Sequence, residues 1–239
     1  MKKKYTHLFF DLDNTLWDFE QNSRIALQNT LLHFGLNEKG VDFDAFFNSY
    51  SIHNSRLWGE YREGKVGKKD LKKLRFEQTF LELGIAGIDP LEMNMQYLTE
   101  MPFQTNLVRG TVEILEYLFR KGYFLFIITN GFREVQLKKL DVSGLKKYFS
   151  KVYISEEIKA PKPSKTIFEH AIKSSNAKKE ASLMIGDDFE TDITGALRFG
   201  IDAAWIQLRS AAKKTDCLEF EASNRLYCIR LLSELSVFL

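Results

Sequence analysis

The sequence predicts an α/β protein, a parallel sheet layered with helices and interrupted by an inserted all-helical segment. Three observations predict it. Short apolar runs alternate with stretches of helical spacing. Small, acidic or hydroxyl residues close several of those runs on their C-terminal side. Between about Phe19 and Met101 the alternation stops, and only helical patterns remain.

The runs are His7 to Phe10, Phe124 to Ile128, Val152 to Ile154, Leu183 to Ile185 and Ala203 to Ile206, each of a length that suits a strand buried on both faces. Five strands are therefore expected. The intervening segments space apolar residues three or four apart: Val112, Leu115, Leu118 and Phe119, then Val135 to Leu140, Ile167 to Ile172, and Ile193 to Leu197. These read as crossover helices. Within the interruption, helices are expected over Ser23 to His33, Asp42 to Tyr61, Lys68 to Leu83 and Pro90 to Glu100, with breakers at Gly35, Gly64, Gly67, Gly84 and Gly87. The regions around Ser23, Asp42 and Asp89 offer capping side chains. The domain reading is a core of residues 1–16 and 103–239, with a cap of residues 17–102.

Composition narrows the classes. The 239 residues carry 34 basic and 32 acidic side chains, a net charge of +2, too balanced for the basic field that binds a nucleic-acid polymer. The two cysteines, Cys217 and Cys228, have no metal-ligand spacing and read as reduced structural thiols. The apolar run Leu8 to Phe10 is too short for a secretory segment, and no stretch reaches the roughly 18 apolar residues that span a bilayer. A cytoplasmic protein without a membrane partner is the expectation.

Ligands of open parallel sheets bind outside the C-terminal ends of the strands. Three polar clusters fall there: Asp11-Leu12-Asp13-Asn14-Thr15, Thr129-Asn130-Gly131, and Gly186-Asp187-Asp188 followed by Asp192. Lys162, between two prolines beyond the third strand, can approach the same edge, and Lys159 is its competitor. Crowded carboxylates cannot all stay ionised without a cation, and an oxygen-only donor set favours Mg²⁺. Magnesium at such a site points to a phosphate substrate. Asp11 is then placed as the nucleophile and Asp13 as the acid that protonates the leaving oxygen and the base that activates water. Thr129, the backbone N–H groups of Asn130 and Gly131, and Lys162 are the candidate phosphoryl-oxygen partners, and Lys162 also offsets the charge of Asp11. His7, His33, His53 and His170 are scattered and take no role.

These residues resemble the haloacid dehalogenase superfamily, whose phosphatases carry D-x-D-x-T, a Ser or Thr after the second strand, a Lys, and a G-D acidic motif. Asp11, Asp13 and Thr15 match the first motif, Thr129 the second, Lys162 the third, and Asp187 with Asp192 the fourth. The resemblance implies a Rossmann-like core with a subclass I helical cap. It implies that Asp11 and Asp187 ligate the metal, that Asp13 adds its backbone carbonyl, and that Thr15, Asp188 and Asp192 stand behind them. Asp13 argues against dehalogenation, which needs no leaving-group acid.

Within that superfamily the chain is similar to bacterial 5′-nucleotidases, through Leu16-Trp17-Asp18-Phe19, Asn54 through Leu57-Trp58 to Tyr61, and Arg75-Phe76-Glu77. That similarity implies Trp17 and Trp58 as surfaces for a base, and Arg62 or Arg75 as contacts to sugar or phosphate. Against it, aromatic residues at near-helical spacing are ordinarily core packing. The expected partner is a small phosphorylated metabolite, handled by a monomer or homodimer. A sugar-phosphate phosphatase, a hexose-phosphate mutase, a phosphonate hydrolase and a non-catalytic phosphate-binding module are the rival readings.

Overall fold

The computed structural model describes residues 4–207, 217–219 and 224–239, the middle segment by its backbone alone. The chain forms two compact units, Met1–Phe19 with Thr105–Leu239, and Glu20–Gln104. In chain order, β1 (His7–Phe10) is followed by α1 (Phe19–His33), α2 (Phe43–Arg62), α3 (Lys68–Leu83) and α4 (Pro90–Glu100). Then come α5 (Thr111–Arg120), β2 (Phe124–Thr129), α6 (Arg133–Val142), β3 (Lys151–Ile154), α7 (Ser155–Ile158) and α8 (Lys165–Ser174). The chain continues through β4 (Ser182–Gly186), α9 (Gly195–Phe199), β5 (Asp202–Ile206), β6 (Cys217–Glu219), β7 (Arg225–Ile229) and α10 (Leu235–Phe238).

The strands form one sheet in the order β3-β2-β1-β4-β5-β7-β6, with every pairing parallel except that of β6 with β7. β1 is central: Phe9 is in register with Phe126 of β2 on one side and Met184 of β4 on the other. Alternate residues of these strands face opposite ways. Phe9, Phe126, Ile128, Tyr153, Met184, Ala203 and Leu226 join Ile167 and Phe168 of α8 and Leu197 of α9 in one core. Leu8, Phe10, Leu125, Ile127, Leu183 and Ile185, the other set, are also buried, so both faces are covered as parallel strands require.

Two strands go beyond the five expected from sequence. Arg225–Ile229 carries the apolar run Leu226 to Ile229, which is not among the five runs read as strands, and it lies near the sheet margin between β5 and β6. Cys228 is partly buried, and the side chain of Cys217 lies outside the described residues. Among the described residues, no helix is long and apolar enough to cross a membrane.

The helical unit starts and stops where its local chemistry dictates. Asp42 caps α2 by accepting from the Ala45 N–H at 2.8 Å. Asp89 caps α4 through the Leu91 N–H at 2.7 Å, with Pro90 in the first turn, and Gly84 closes α3 in the left-handed region. The unit's core is aromatic: Tyr50 lies 5.0 Å from Phe76 and 5.6 Å from Tyr97, and the Ser23 and Tyr97 hydroxyls meet at 2.8 Å, joining α1 to α4.

Candidate active site

The site stands at the C-terminal edge of the sheet in the α/β unit. Asp11 is the first residue past β1, and its N–H donates to Ile185 O at 2.9 Å, which ties it to β4. Its carboxylate accepts from the Lys162 ammonium at 2.5 Å. Lys162 also donates to Ile128 O at 2.8 Å and pairs with Asp192 at 2.6 Å. An ammonium has three protons. All three of these have a partner in the protein, so Lys162 acts on Asp11 and Asp192 by its charge. Lys159 is exposed at the end of α7 and takes no part.

The Lys162 backbone is clamped by Asn130, whose side chain accepts from the Lys162 N–H at 2.8 Å and donates to Lys162 O at 3.1 Å. Thr129 accepts at Oγ1 from the Gly131 N–H at 3.1 Å and from the Gln136 amide at 2.7 Å. The Gly131 N–H, expected to face a phosphate, is therefore directed within the loop. With both bonds arriving at its oxygen, the Thr129 hydroxyl keeps its own proton to donate.

After β4 the chain makes a π-helical turn, Phe189–Thr194, of the kind that recurs at functional sites. Asp188 is its cap, accepting from the Glu190 N–H at 3.0 Å and the Thr191 N–H at 2.9 Å. The turn carries Asp192 back over the end of β4, where its Oδ2 accepts from the Asp188 N–H at 3.2 Å. Gly186 makes this possible: a Cβ there would stand 2.3 Å from Asp192 Oδ2. Asp187 accepts from Thr15 Oγ1 at 3.0 Å, and its carbonyl accepts from the Trp205 indole N–H at 2.9 Å.

Asp11, Asp187 and Asp192 thus converge, each offering a carboxylate oxygen within 4.8 Å of the others. Burial drives the Asp11 carboxyl well above the ordinary range, opposed by Lys162 and reinforced by Asp192, Asp187 and Asp13. Burial, then the Asp192 charge, pushes Asp187 up to about 7. Asp192 is raised by burial against the pull of Lys162. Three crowded carboxylates with one buried ammonium leave an excess of negative charge, and the donors are oxygens only. That set fits a hard divalent cation. Asp192 has one oxygen on Lys162 and the other on the Asp188 N–H, which suits support, whereas Asp11 and Asp187 are better placed to turn an oxygen toward a cation.

Asp13 is held apart from this cluster. Its Oδ1 accepts from the Lys139 ammonium at 2.6 Å and its Oδ2 from the Gln136 amide at 2.9 Å. The Lys139 ammonium sits 4.0 Å from the Trp17 ring centre and 5.3 Å from that of Phe19. Burial lowers the pKa of Lys139, and Asp13 opposes that shift. Reading the sequence missed Gln136 and Lys139. The available signal was a pair of polar residues, three apart, on the face of α6 that also carries Val135 and Leu140.

The residues expected to read a substrate are placed differently. Trp17 belongs to the α/β unit and is fully buried, so its ring is not an exposed platform. Arg75 is only 2% exposed inside the helical unit. It donates to Asn94 Oδ1 from Nε at 3.1 Å and Nη2 at 2.6 Å, and to Asn54 Oδ1 from Nη1 at 3.0 Å. A substrate would have to compete with these bonds, so Arg75 is corrected to a packing role. Trp58 and Arg62 are half-buried on α2, with Trp58 edge-on to Tyr61 at 5.6 Å.

Comparison with known proteins gives a consistent picture. The haloacid dehalogenase-like hydrolase family model matches residues 8–206. The chain is 34% identical over 203 residues to the pyrimidine 5′-nucleotidase PynA of Streptococcus pneumoniae, covering 84% of this chain and 83% of that one. It is 32% identical over 204 residues to the pyrimidine 5′-nucleotidase YjjG of Escherichia coli, covering 85% and 86%. Among solved structures, the HAD-hydrolase YfnB of Bacillus subtilis, bound to magnesium, superposes with a TM-score of 0.84 at 26% identity over 98% of both chains.

Proposed function

The chain belongs to the haloacid dehalogenase-like hydrolases, and from that premise we propose that it is a Mg²⁺-dependent phosphomonoesterase acting through an aspartyl-phosphate, with nucleoside 5′-monophosphates as its substrates. The observation that carries this reading is the separation of the two aspartates after β1. Asp11 lies in the buried acidic cluster on Lys162, while Asp13 lies outside it on Lys139 and Gln136. Two carboxylates given different surroundings can take different chemical roles.

Asp11 and Asp187, with Asp192 behind them, would hold the metal, as the magnesium-bound relative supports. When bound, Mg²⁺ supplies charge neutralisation for the phosphoryl oxygens. Asp11 attacks phosphorus, and as that bond forms and the ester P–O bond breaks, Asp13 gives its proton to the leaving oxygen. Asp13 then takes a proton from the water that displaces Asp11. Thr129 donates its hydroxyl proton to a phosphoryl oxygen. Lys162 orients Asp11 and favours its ionised form against the burial that opposes it.

The names of the two nucleotidase relatives support a nucleotide as substrate, and pyrimidine nucleotides head the order of testing. The experiment is release of inorganic phosphate from a panel of nucleoside monophosphates, sugar phosphates and phosphonates, with Mg²⁺ and with EDTA. Turnover of nucleotides that EDTA abolishes is expected. A protein that releases phosphate from none of them, or that works equally well in EDTA, would overturn the reading.

A further inference from the structure

Beyond the motifs, the molecule holds a second buried lysine that the mechanism has not used. Lys139 is 2% exposed, and the carboxylate it meets is that of Asp13. Its ammonium is covered by the rings of Trp17 and Phe19. An ammonium sequestered in this way is strongly directed toward the carboxylate it contacts, because water competes little for it.

The surroundings are built for the same carboxylate. Gln136, one helical turn earlier on the same face of α6, reaches the other oxygen of Asp13 and at the same time Thr129. Its path runs over Gly131, where a Cβ would stand 2.3 Å from the Gln136 amide nitrogen. A glycine in the loop, an amide and an ammonium on α6, and an indole from the segment after β1 all define where Asp13 lies.

We infer that Lys139 is a positioning residue for the acid-base step, holding the Asp13 carboxylate where it meets the ester oxygen. This rests on the phosphomonoesterase reading. A misplaced acid matters most when the leaving group is a poor one. A primary alkoxide needs a proton as it departs, whereas a 4-nitrophenolate leaves without one. kcat/KM covers the steps through departure of the leaving group and is blind to the later hydrolysis of the intermediate.

The test compares uridine 5′-monophosphate with 4-nitrophenyl phosphate in Mg²⁺. Lys139→Met should lower kcat/KM for the nucleotide by about 10²-fold and for the aryl ester by less than about 10-fold. Lys139→Arg, which keeps a cation, should retain most of the nucleotide activity. In the cycle with Asp13→Asn, the double variant should be no slower than Asp13→Asn alone. Because the double variant removes both charges of the pair, it folds without a stranded ion and serves even where Lys139→Met does not.

Equal losses on the two esters, or a further loss when Lys139→Met is added to Asp13→Asn, would overturn the inference while leaving the phosphomonoesterase reading in place. Parent protein inert toward both esters would overturn both.

Discussion

The two units bury cations in opposite ways. In the helical unit, Arg75 is surrounded by neutral acceptors, Asn54 and Asn94, and by the rings of Tyr50, Phe76 and Tyr97. In the α/β unit, Lys162 and Lys139 face carboxylates, and Asp11, Asp13, Asp187 and Asp192 outnumber them. A guanidinium is weakly hydrated and spreads its charge over planar partners, so amides and aromatic faces suffice to hold it. The result is fixed packing, complete within the unit. The lysines instead leave negative charge over, and a fold retains such a surplus where a ligand completes it. Burial alone therefore does not mark a functional cation; the balance of charge around it does.

The comparison can be broken at several points, beginning where the effect is largest. Asp11→Asn should lower kcat by about 10⁴-fold or more with the melting temperature maintained, since it removes the proposed nucleophile and relieves carboxylate crowding. Phosphate release at the parent rate would show that the charge surplus is not the catalytic centre. Next, Arg75→Met should destabilise the protein by roughly 3 kcal/mol, because Asn54 and Asn94 lose their donor in a closed interior. Denaturant unfolding measures this, and an unchanged midpoint would remove the structural half of the contrast.

Gly186→Ala should weaken Mg²⁺ binding by about 10–100-fold, because the new methyl group displaces Asp192 and, through it, Lys162. Calorimetric titration reads the affinity, and undiminished binding would separate Asp192 from the metal site.

The smallest effect is on pH dependence. The Asp187 carboxyl, raised to about 7 from the ordinary 3.8, binds its proton more tightly in the folded state, so the metal-free protein loses stability as pH rises through that interval. Lys162, shifted upward from an already high value, stays charged throughout. In EDTA the melting temperature should be a few degrees lower at pH 8 than at pH 6, and saturating Mg²⁺ should reverse the trend. Equal melting temperatures in EDTA at the two pH values would mean that the cluster carries no excess charge.

What the amino-acid sequence reveals of the fold and the site follows from where each signal is written. Asp11, Thr129 and Asp187 each sit at or beside a strand end, so a strand assigned from its apolar run also locates the polar residue at its edge. The four long helices of the inserted unit were legible because breakers and caps frame them, as at Gly84 and Asp89. The partners of Asp13 were not. Gln136 and Lys139 lie in an otherwise ordinary amphipathic helix, and only the direction in which its face points reveals that they are buried against a carboxylate more than a hundred residues away. Arg75 failed in the opposite sense, since a cation within an aromatic segment reads as a ligand contact until its acceptors are known. Asp188 and Asp192 could not be ranked either, because the π-helical turn that caps one and brings the other into the cluster has no signature in composition.

The central place of β1 has a consequence for biosynthesis. Its two neighbours, β2 and β4, are translated well over a hundred residues later. At ribosomal speed the strand that leads to Asp11 waits on the order of ten seconds for either of them. During that interval the helical unit, contiguous in the chain, can close around its own aromatic core, while the apolar residues Leu8, Phe9 and Phe10 remain unpaired. The segment that leads into the acidic cluster is thus the one for which nascent-chain protection matters most.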